Sequence, residues 1–252
     1  MCSLSKDLPL VIAHRGAAGE APENTLAAFQ LALEQGCDAF ELDVHLSKDG
    51  QIVVIHDYSV DRTTTGQGAV SELTVEEMKQ YDAGAWFHPS YAGERIPTLE
   101  EVIAMTPEHI HINVEIKGGI GQGIEEKLVE LLRRLNRTAS IFVSSFHWNC
   151  LRTLNQIEPS LRVGLLYDLS LKDYALLPKA AGVNAYSLHP HFGKLEAEAV
   201  KAAVAQGVAV FPWTINGEAD MARMIDMGVS GIITDYPGKL RQLLEQQSAA
   251  RS

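Results

Sequence analysis

Cysteine is scarce in this chain. Cys2, Cys37 and Cys150 are odd in number and far apart, with no paired metal-ligand spacing. That excludes a disulfide framework and fits buried thiols in a reducing compartment, so the cytoplasm is the expected location. Long apolar runs are missing too: nothing approaches the roughly 18 residues of a membrane span, and the opening MCSLSKDLPLVIAHRG carries no signal-peptide core. Membrane insertion is therefore not expected. Basic residues are outnumbered, 21 against 32 acids, for a formal charge of −11. A broad nucleic-acid surface needs a basic footprint and is excluded. A small anionic substrate is not, because a few cations or a bound metal can reverse the field locally. Nucleotide and nucleophile signatures are also absent. GGIGQG (118–123) has neither the dinucleotide spacing nor the Lys-Ser/Thr of a phosphate loop, and no G-x-S-x-G or H-E-x-x-H occurs.

What is present is an alternation of short apolar runs with helical patterns. Strands are predicted at Leu10–Ala13, Ala39–Val44, Ile110–Ile116, Ile141–Ser144, Arg162–Leu166, Asn184–Leu188, Val208–Trp213 and Gly231–Thr234. Between them lie helix-like stretches such as ENTLAAFQLALEQG and GIEEKLVELLRRLN. Eight strands with helical crossovers imply parallel pairing, and eight such units close into a (β/α)8 barrel. A chain of 252 residues suits that fold as a single domain, 1–252. One unit is irregular. After Val44 come the turn signal SKDG and a hairpin-like QIVVIHD, then a stretch too long for a plain connection. A small insertion at the barrel mouth is expected at about 57–109, with helices near Leu73–Tyr81 and at Leu99–Met105.

Chemistry concentrates at strand ends. In FELDV, alternation sends Phe40, Leu42 and Val44 to one face and Glu41 and Asp43 to the other. The two carboxylates are then roughly 7 Å apart at the backbone and can share a cation between them. A single E-x-D pair is as readily explained by partner Arg or Lys side chains. HINVEIK repeats the design, however, with Asn113, Glu115 and Lys117 on one face. Buried acids are rare unless paired or metal-bound, so three inward carboxylates point to a metal, although a Glu115–Lys117 ion pair is the simpler alternative. Strand-like runs also end in His14-Arg15 and in His56-Asp57. Two histidines beside carboxylates suit acid–base chemistry near neutral pH, and the fork of Arg15 suits a phosphate. His45 shares the parity of Glu41 and Asp43, and His189 is a weaker candidate for lining the pocket.

Taken together, AHRG with PENT (13–16 and 22–25), ELDVHLSKDG (41–50), VVIHD (53–57), IPTLEEV (96–102) and NVEIK (113–117) resemble the glycerophosphodiester phosphodiesterase family, bacterial cytosolic type. PWTIN (212–216) and GIITDYP (231–237) extend the likeness nearly to the C-terminus. The resemblance implies a TIM barrel that hydrolyses glycerophosphodiesters to sn-glycerol 3-phosphate and an alcohol. It implies Glu41, Asp43 and Glu115 as ligands of one divalent cation, Mg2+ or Ca2+, and His14 and His56 as the catalytic pair; we take His56 as the acid, although the sequence does not decide the order. It places Arg15 and Lys117 at the phosphate, and Trp213 and Phe146 near the glycerol. The attacker it implies is the glycerol 2-hydroxyl, with direct attack by water the alternative. Two other functions fit the same residues less well: a lysophospholipase D-like phosphodiesterase, which would want an apolar entrance, and a non-catalytic glycerophosphodiester-binding protein, which would not need both histidines. Alcohol preference, the choice of metal and oligomeric state are not written in the sequence.

Overall fold

The computed structural model of the protein describes residues 8–168 and 177–251. Cys2 lies outside the described residues. Eight strands run parallel: β1 Leu10–His14, β2 Ala39–Leu46, β4 His111–Ile116, β5 Ile141–Ser145, β6 Arg162–Tyr167, β7 Ala185–Pro190, β8 Ala209–Val210 and β9 Gly231–Thr234. Their order in the sheet is β8-β7-β6-β5-β4-β2-β1-β9, and β3, Ile52–Val54, pairs antiparallel on β2. Across the remaining seam, Ser230 N donates to Val210 O (3.0 Å), Ile233 N to Pro212 O (3.1 Å) and Ile215 N to Ile233 O (2.9 Å). The sheet thus closes on itself as a (β/α)8 barrel.

Each crossover is helical because parallel neighbours need a long return. The helices are α1 Leu26–Glu34, α2 Val75–Met78, α3 Leu99–Met105, α4 Ile124–Arg134, α5 Trp148–Ile157, α6 Leu177–Ala181, α7 Ala197–Ala205, α8 Glu218–Met227 and α9 Pro237–Arg251. Their starts are written locally. Thr25 accepts a hydrogen bond from Ala28 N at the head of α1, and Thr98 with Glu101 forms a reciprocal cap on α3. Phe40, Leu42 and Val44 point outward and are fully buried against the helices in the main core. Inside the barrel, Ile12, Ala39, Phe142, Ala209, Phe211 and Ile233 form a separate apolar plug. The plug fills the lower barrel, so chemistry is confined to the end where the strands terminate.

Most strand ends fall within one or two residues of the sequence expectation, and three boundaries are instructive. The helix predicted over 73–81 shrinks to α2, because its end tightens into i→i+3 bonds at Gln80 and Tyr81 before the Asp82-Ala83-Gly84 turn. The strand predicted to reach Trp213 stops at Val210, since Pro212 has no N–H to give; Phe211 and Trp213 still donate to Leu188 and Pro190. The strand predicted to end at Leu188 runs on to Pro190. Val53 of β3 packs with Ile55, Val60, Val70, Met78, Ala83 and Ile96 from the stretch before β4 as a separate apolar cluster. α3 is different: Leu99, Val102 and Ile103 belong to the main core, so it serves as the crossover helix of its unit.

Candidate active site

The register of the sheet assembles the site. His14 lies opposite Glu41, Glu41 opposite Asn113, and Asp43 opposite Glu115. Side chains from three neighbouring strands therefore meet in one tier above the apolar plug. Oxygens of Glu41, Asp43 and Glu115 all lie within 4.8 Å of one another, and all three residues are buried. His14, Arg15, Glu41, His56, Glu115, Lys117, Phe146 and Trp213 line a single cavity of about 160 Å3, with Asp43 buried beneath it. The structure thus brings all nine sequence-predicted residues to one place.

After His14 the chain turns sharply, with Arg15 at φ 53° and Gly16 at φ 83°. Only glycine fits at position 16, where a Cβ would stand 2.6 Å from the backbone of Ala28. Arg15, a non-glycine residue held in the left-handed region, marks the kind of strain that functional turns store. The turn aims its guanidinium inward: Nε lies 3.2 Å from Asp43 and Nη1 donates to Glu23 at 2.8 Å. From the other side Lys117 Nζ reaches Glu115 at 3.2 Å and Asp43 at 3.8 Å. The Glu115–Lys117 ion pair is therefore real, but it balances only part of the negative charge.

That imbalance shows in the acidities. Burial, and then the neighbouring carboxylates, push Glu41 well above the usual carboxylate range. Burial and Asp43 raise Glu115 to about 7 despite Lys117. Asp43 goes the other way: burial works against its charge, yet Arg15, His56, Lys117 and the amide of Asn24 together hold it below its ordinary value. Three clustered carboxylates of which two resist ionisation form a site that a hard divalent cation would complete. The donor set fits such an ion.

Both histidines are held by aspartates. His14 Nδ1 lies 2.6 Å from Asp235, which also accepts from Asn216 Nδ2 at 2.6 Å. His56 Nδ1 lies 2.6 Å from Asp57, which is gripped by Arg62. In each case a carboxylate acceptor fixes the Nδ1–H tautomer and leaves Nε2 turned toward the other polar residues of the cavity. His14 Nε2 is 3.8 Å from Glu41, and His56 Nε2 is 3.0 Å from Lys117 Nζ. Burial, with Arg15 and Lys117 nearby, lowers the basicity of His56 in spite of Asp43 and Asp57.

The far wall is aromatic. Phe146 and Trp213 meet edge to face at 5.7 Å, and Trp213 Nε1 donates to His189 O at 2.8 Å. His189 lines the cavity floor, fully buried, with Nε2 on Ser187 Oγ at 2.8 Å. Gly164 beside them makes room, since a Cβ there would come within 2.6 Å of Ser187 Oγ. Among the described residues His189 Nδ1 and Asn113 Oδ1 have no hydrogen-bond partner. His45 is a support and not part of the lining: its Nε2 contacts His56 O at 3.0 Å and its ring abuts Tyr58. The sequence reasoning missed Asp235, Asp57, Asn216, Glu23, Asn24 and Arg62 as site residues. The available signal was that Asp57 and Asp235 each sit just past a strand end, in VVIHD and GIITDYP.

A (β/α)8 barrel with buried carboxylates, cationic side chains and two aspartate-held histidines at its C-terminal mouth has the form of a hydrolase for an anionic substrate. The profile of the glycerophosphoryl diester phosphodiesterase family matches residues 14–239. A glycerophosphodiester phosphodiesterase from Caldanaerobacter subterraneus subsp. tengcongensis is 47% identical over 240 residues, covering 94% of this chain and 98% of that protein. One from Bacillus subtilis is 36% identical, covering 93% and 86%. Among solved structures, a phosphodiesterase from Oleispira antarctica in complex with the product sn-glycerol-3-phosphate superposes with a TM-score of 0.86 at 32% identity, covering 94% of this chain and 97% of that one. The chain belongs to the glycerophosphodiester phosphodiesterase family and is an enzyme of that activity. No helix among the described residues is long and apolar enough to cross a membrane.

Proposed function

We propose that the enzyme hydrolyses glycerophosphodiesters to sn-glycerol 3-phosphate and an alcohol, using His14 and His56 as its acid–base pair and one Mg2+ or Ca2+ held by Glu41, Asp43 and Glu115. The observation that carries this reading is the convergence of two Nδ1-anchored histidines on one cavity with a buried carboxylate triad. The relative solved with sn-glycerol-3-phosphate supports the product. When bound, the cation supplies positive charge for the phosphate oxygens in the transition state.

The protein's own side chains do the rest. Arg15 and Lys117 hold the phosphoryl group, Arg15 through its fork and Lys117 as a point charge. Phe146 and Trp213 cover the glyceryl moiety. His56 Nε2 faces the Lys117 ammonium, an arrangement that requires a free lone pair on the ring and so a neutral imidazole. That supports His56 as the base toward the attacking hydroxyl, the reverse of the sequence expectation. His14, held by Asp235 at Nδ1 and facing Glu41 across 3.8 Å at Nε2, is then left as the acid for the departing alkoxide. The buried free thiols Cys37 and Cys150 support a reducing, cytoplasmic setting.

The test is turnover on glycerophosphocholine, glycerophosphoethanolamine, glycerophosphoglycerol and lysophosphatidylcholine after chelation and re-addition of each metal. Turnover of the glycero-compounds should vanish with EDTA and return with Mg2+ or Ca2+. Full activity in metal-stripped enzyme would remove the role given to the triad, and preference for the lysolipid would replace the substrate class.

A further inference from the structure

Arg62 belongs to the segment after β3 and takes no part in the chemistry above. Its guanidinium nevertheless donates four hydrogen bonds. Two go to Asp57, from Nε at 2.7 Å and Nη2 at 3.0 Å; two go to Glu23, from Nη1 at 2.9 Å and Nη2 at 2.8 Å. Each carboxylate has a second duty. Asp57 Oδ1 takes the His56 Nδ1 contact, and Glu23 Oε1 accepts from Arg15 Nη1 at 2.8 Å. An unbroken line of charged contacts therefore runs Arg15–Glu23–Arg62–Asp57–His56. It joins the turn after β1 to the segment after β3 at the barrel rim.

The line has a physical purpose that burial does not serve. The His56 and Asp57 side chains are 30% and 29% exposed, so packing alone does not fix the imidazole. A planar guanidinium that binds one carboxylate in a fork and hands its remaining edge to another sets both orientations at once, which a lysine cannot do. The geometry points to Arg62 as the positioning residue for His56: it holds the Asp57 carboxylate where it fixes His56 Nδ1–H, and it ties that pair to Glu23 and Arg15 so that His56 Nε2 stays aligned with the phosphate-binding side chains. This rests on the role given to His56. An Arg62 that only anchored the loop would, on removal, cost stability and leave the chemical step intact.

The experiment is a steady-state cycle on glycerophosphocholine with Mg2+, comparing wild type, R62Q, D57N and R62Q/D57N, with thermal melts alongside. R62Q should lose kcat by roughly tenfold, the low end for partners that orient an active group, with KM within about twofold. On the D57N background the same change should cost less than about twofold, because the residues act as one unit. Guanidinium added to R62A should restore part of kcat. Wild-type kcat in R62Q, or a full tenfold loss repeated on D57N, overturns the assignment. Should R62Q fail to fold, R62K carries the same cycle, and a wild-type kcat there overturns the need for the fork. H56A is the control that separates the two levels: wild-type turnover in H56A sinks the His56 role itself, whereas an inactive H56A beside a fully active R62Q sinks Arg62 alone.

Discussion

The two histidine–aspartate pairs are chemically alike and built in different ways. His14 and Asp235 are 221 positions apart and meet only because β1 and β9 are neighbours in the closed barrel. Their support is neutral and internal: the Asn216 side chain donates to Asp235 and accepts from the Asp235 backbone. His56 and Asp57 are adjacent in the chain, sit nearer the rim, and are held by a charged clamp. One pair is an outcome of the fold. The other is an outcome of a local sequence plus one arginine. The difference teaches that equal His–Asp contacts, 2.6 Å in each pair, do not require the same kind of support, and that substitutions should hurt the two sides unequally.

The largest effect is expected from removing the histidines. His14→Ala and His56→Ala should each lower kcat by at least about a hundredfold, the ordinary scale of a positioned acid or base. Near wild-type turnover in either variant would end that variant's side of the comparison. Replacing the aspartates then tests the asymmetry. Asp235→Asn should cost up to about a hundredfold, because the less exposed ring loses the partner that fixes its tautomer; Asp57→Asn should cost nearer tenfold, because the rim pair is more open to solvent. Equal losses would mean that the fold and the local clamp constrain their histidines to the same degree.

This asymmetry also explains what was legible in the sequence. The carboxylate tier was readable because strand alternation is strict: once Phe40, Leu42 and Val44 were assigned to the helices, Glu41 and Asp43 had nowhere to go but inward. His14 and His56 were readable from their place at strand ends. The eight-strand count gave the barrel, although Pro212 ended β8 early and the i→i+3 bonds at Gln80 and Tyr81 shortened α2. Asp235 was not readable as a partner of His14, because that contact depends on closure between the first and last strands. Neither was Arg62, whose four bonds arise from loop geometry that carries no periodic pattern. Short-range parity can be read from a chain; long-range closure and loop shape cannot.

A third histidine, beneath both pairs, sets a pH limit of another kind. Burial pushes His189 down to about 3. The unfolded chain protonates that ring near pH 6.5 and the folded protein does not, so the unfolded state binds the extra proton first. Stability tied to neutral His189 is therefore complete above about pH 6.5 and is lost progressively as pH falls toward 3. At pH 5.5 the loss should be roughly 1–1.5 kcal/mol, from the linkage relation alone. Urea melts of wild type and His189→Gln between pH 7 and 5 check it: the wild type should lose more over that range. Equal slopes would show that the acid sensitivity belongs to other groups, including the dyads above.

The smallest effect belongs to the wall facing the dyads. The Phe146 ring is 44% exposed and leans edge to face on Trp213, whereas Trp213 is pinned through Nε1 to the His189 carbonyl. Phe146→Ala removes contact surface from the aromatic side of the cavity without touching either His–Asp pair, so the loss should fall on binding. An aromatic pair contributes on the order of 0.5–1.5 kcal/mol, which corresponds to a KM raised about twofold to twelvefold with kcat unchanged. If kcat falls instead while KM holds, the ring is ordering the transition state together with the histidines, and the division between a binding wall and a reacting wall does not hold at Phe146.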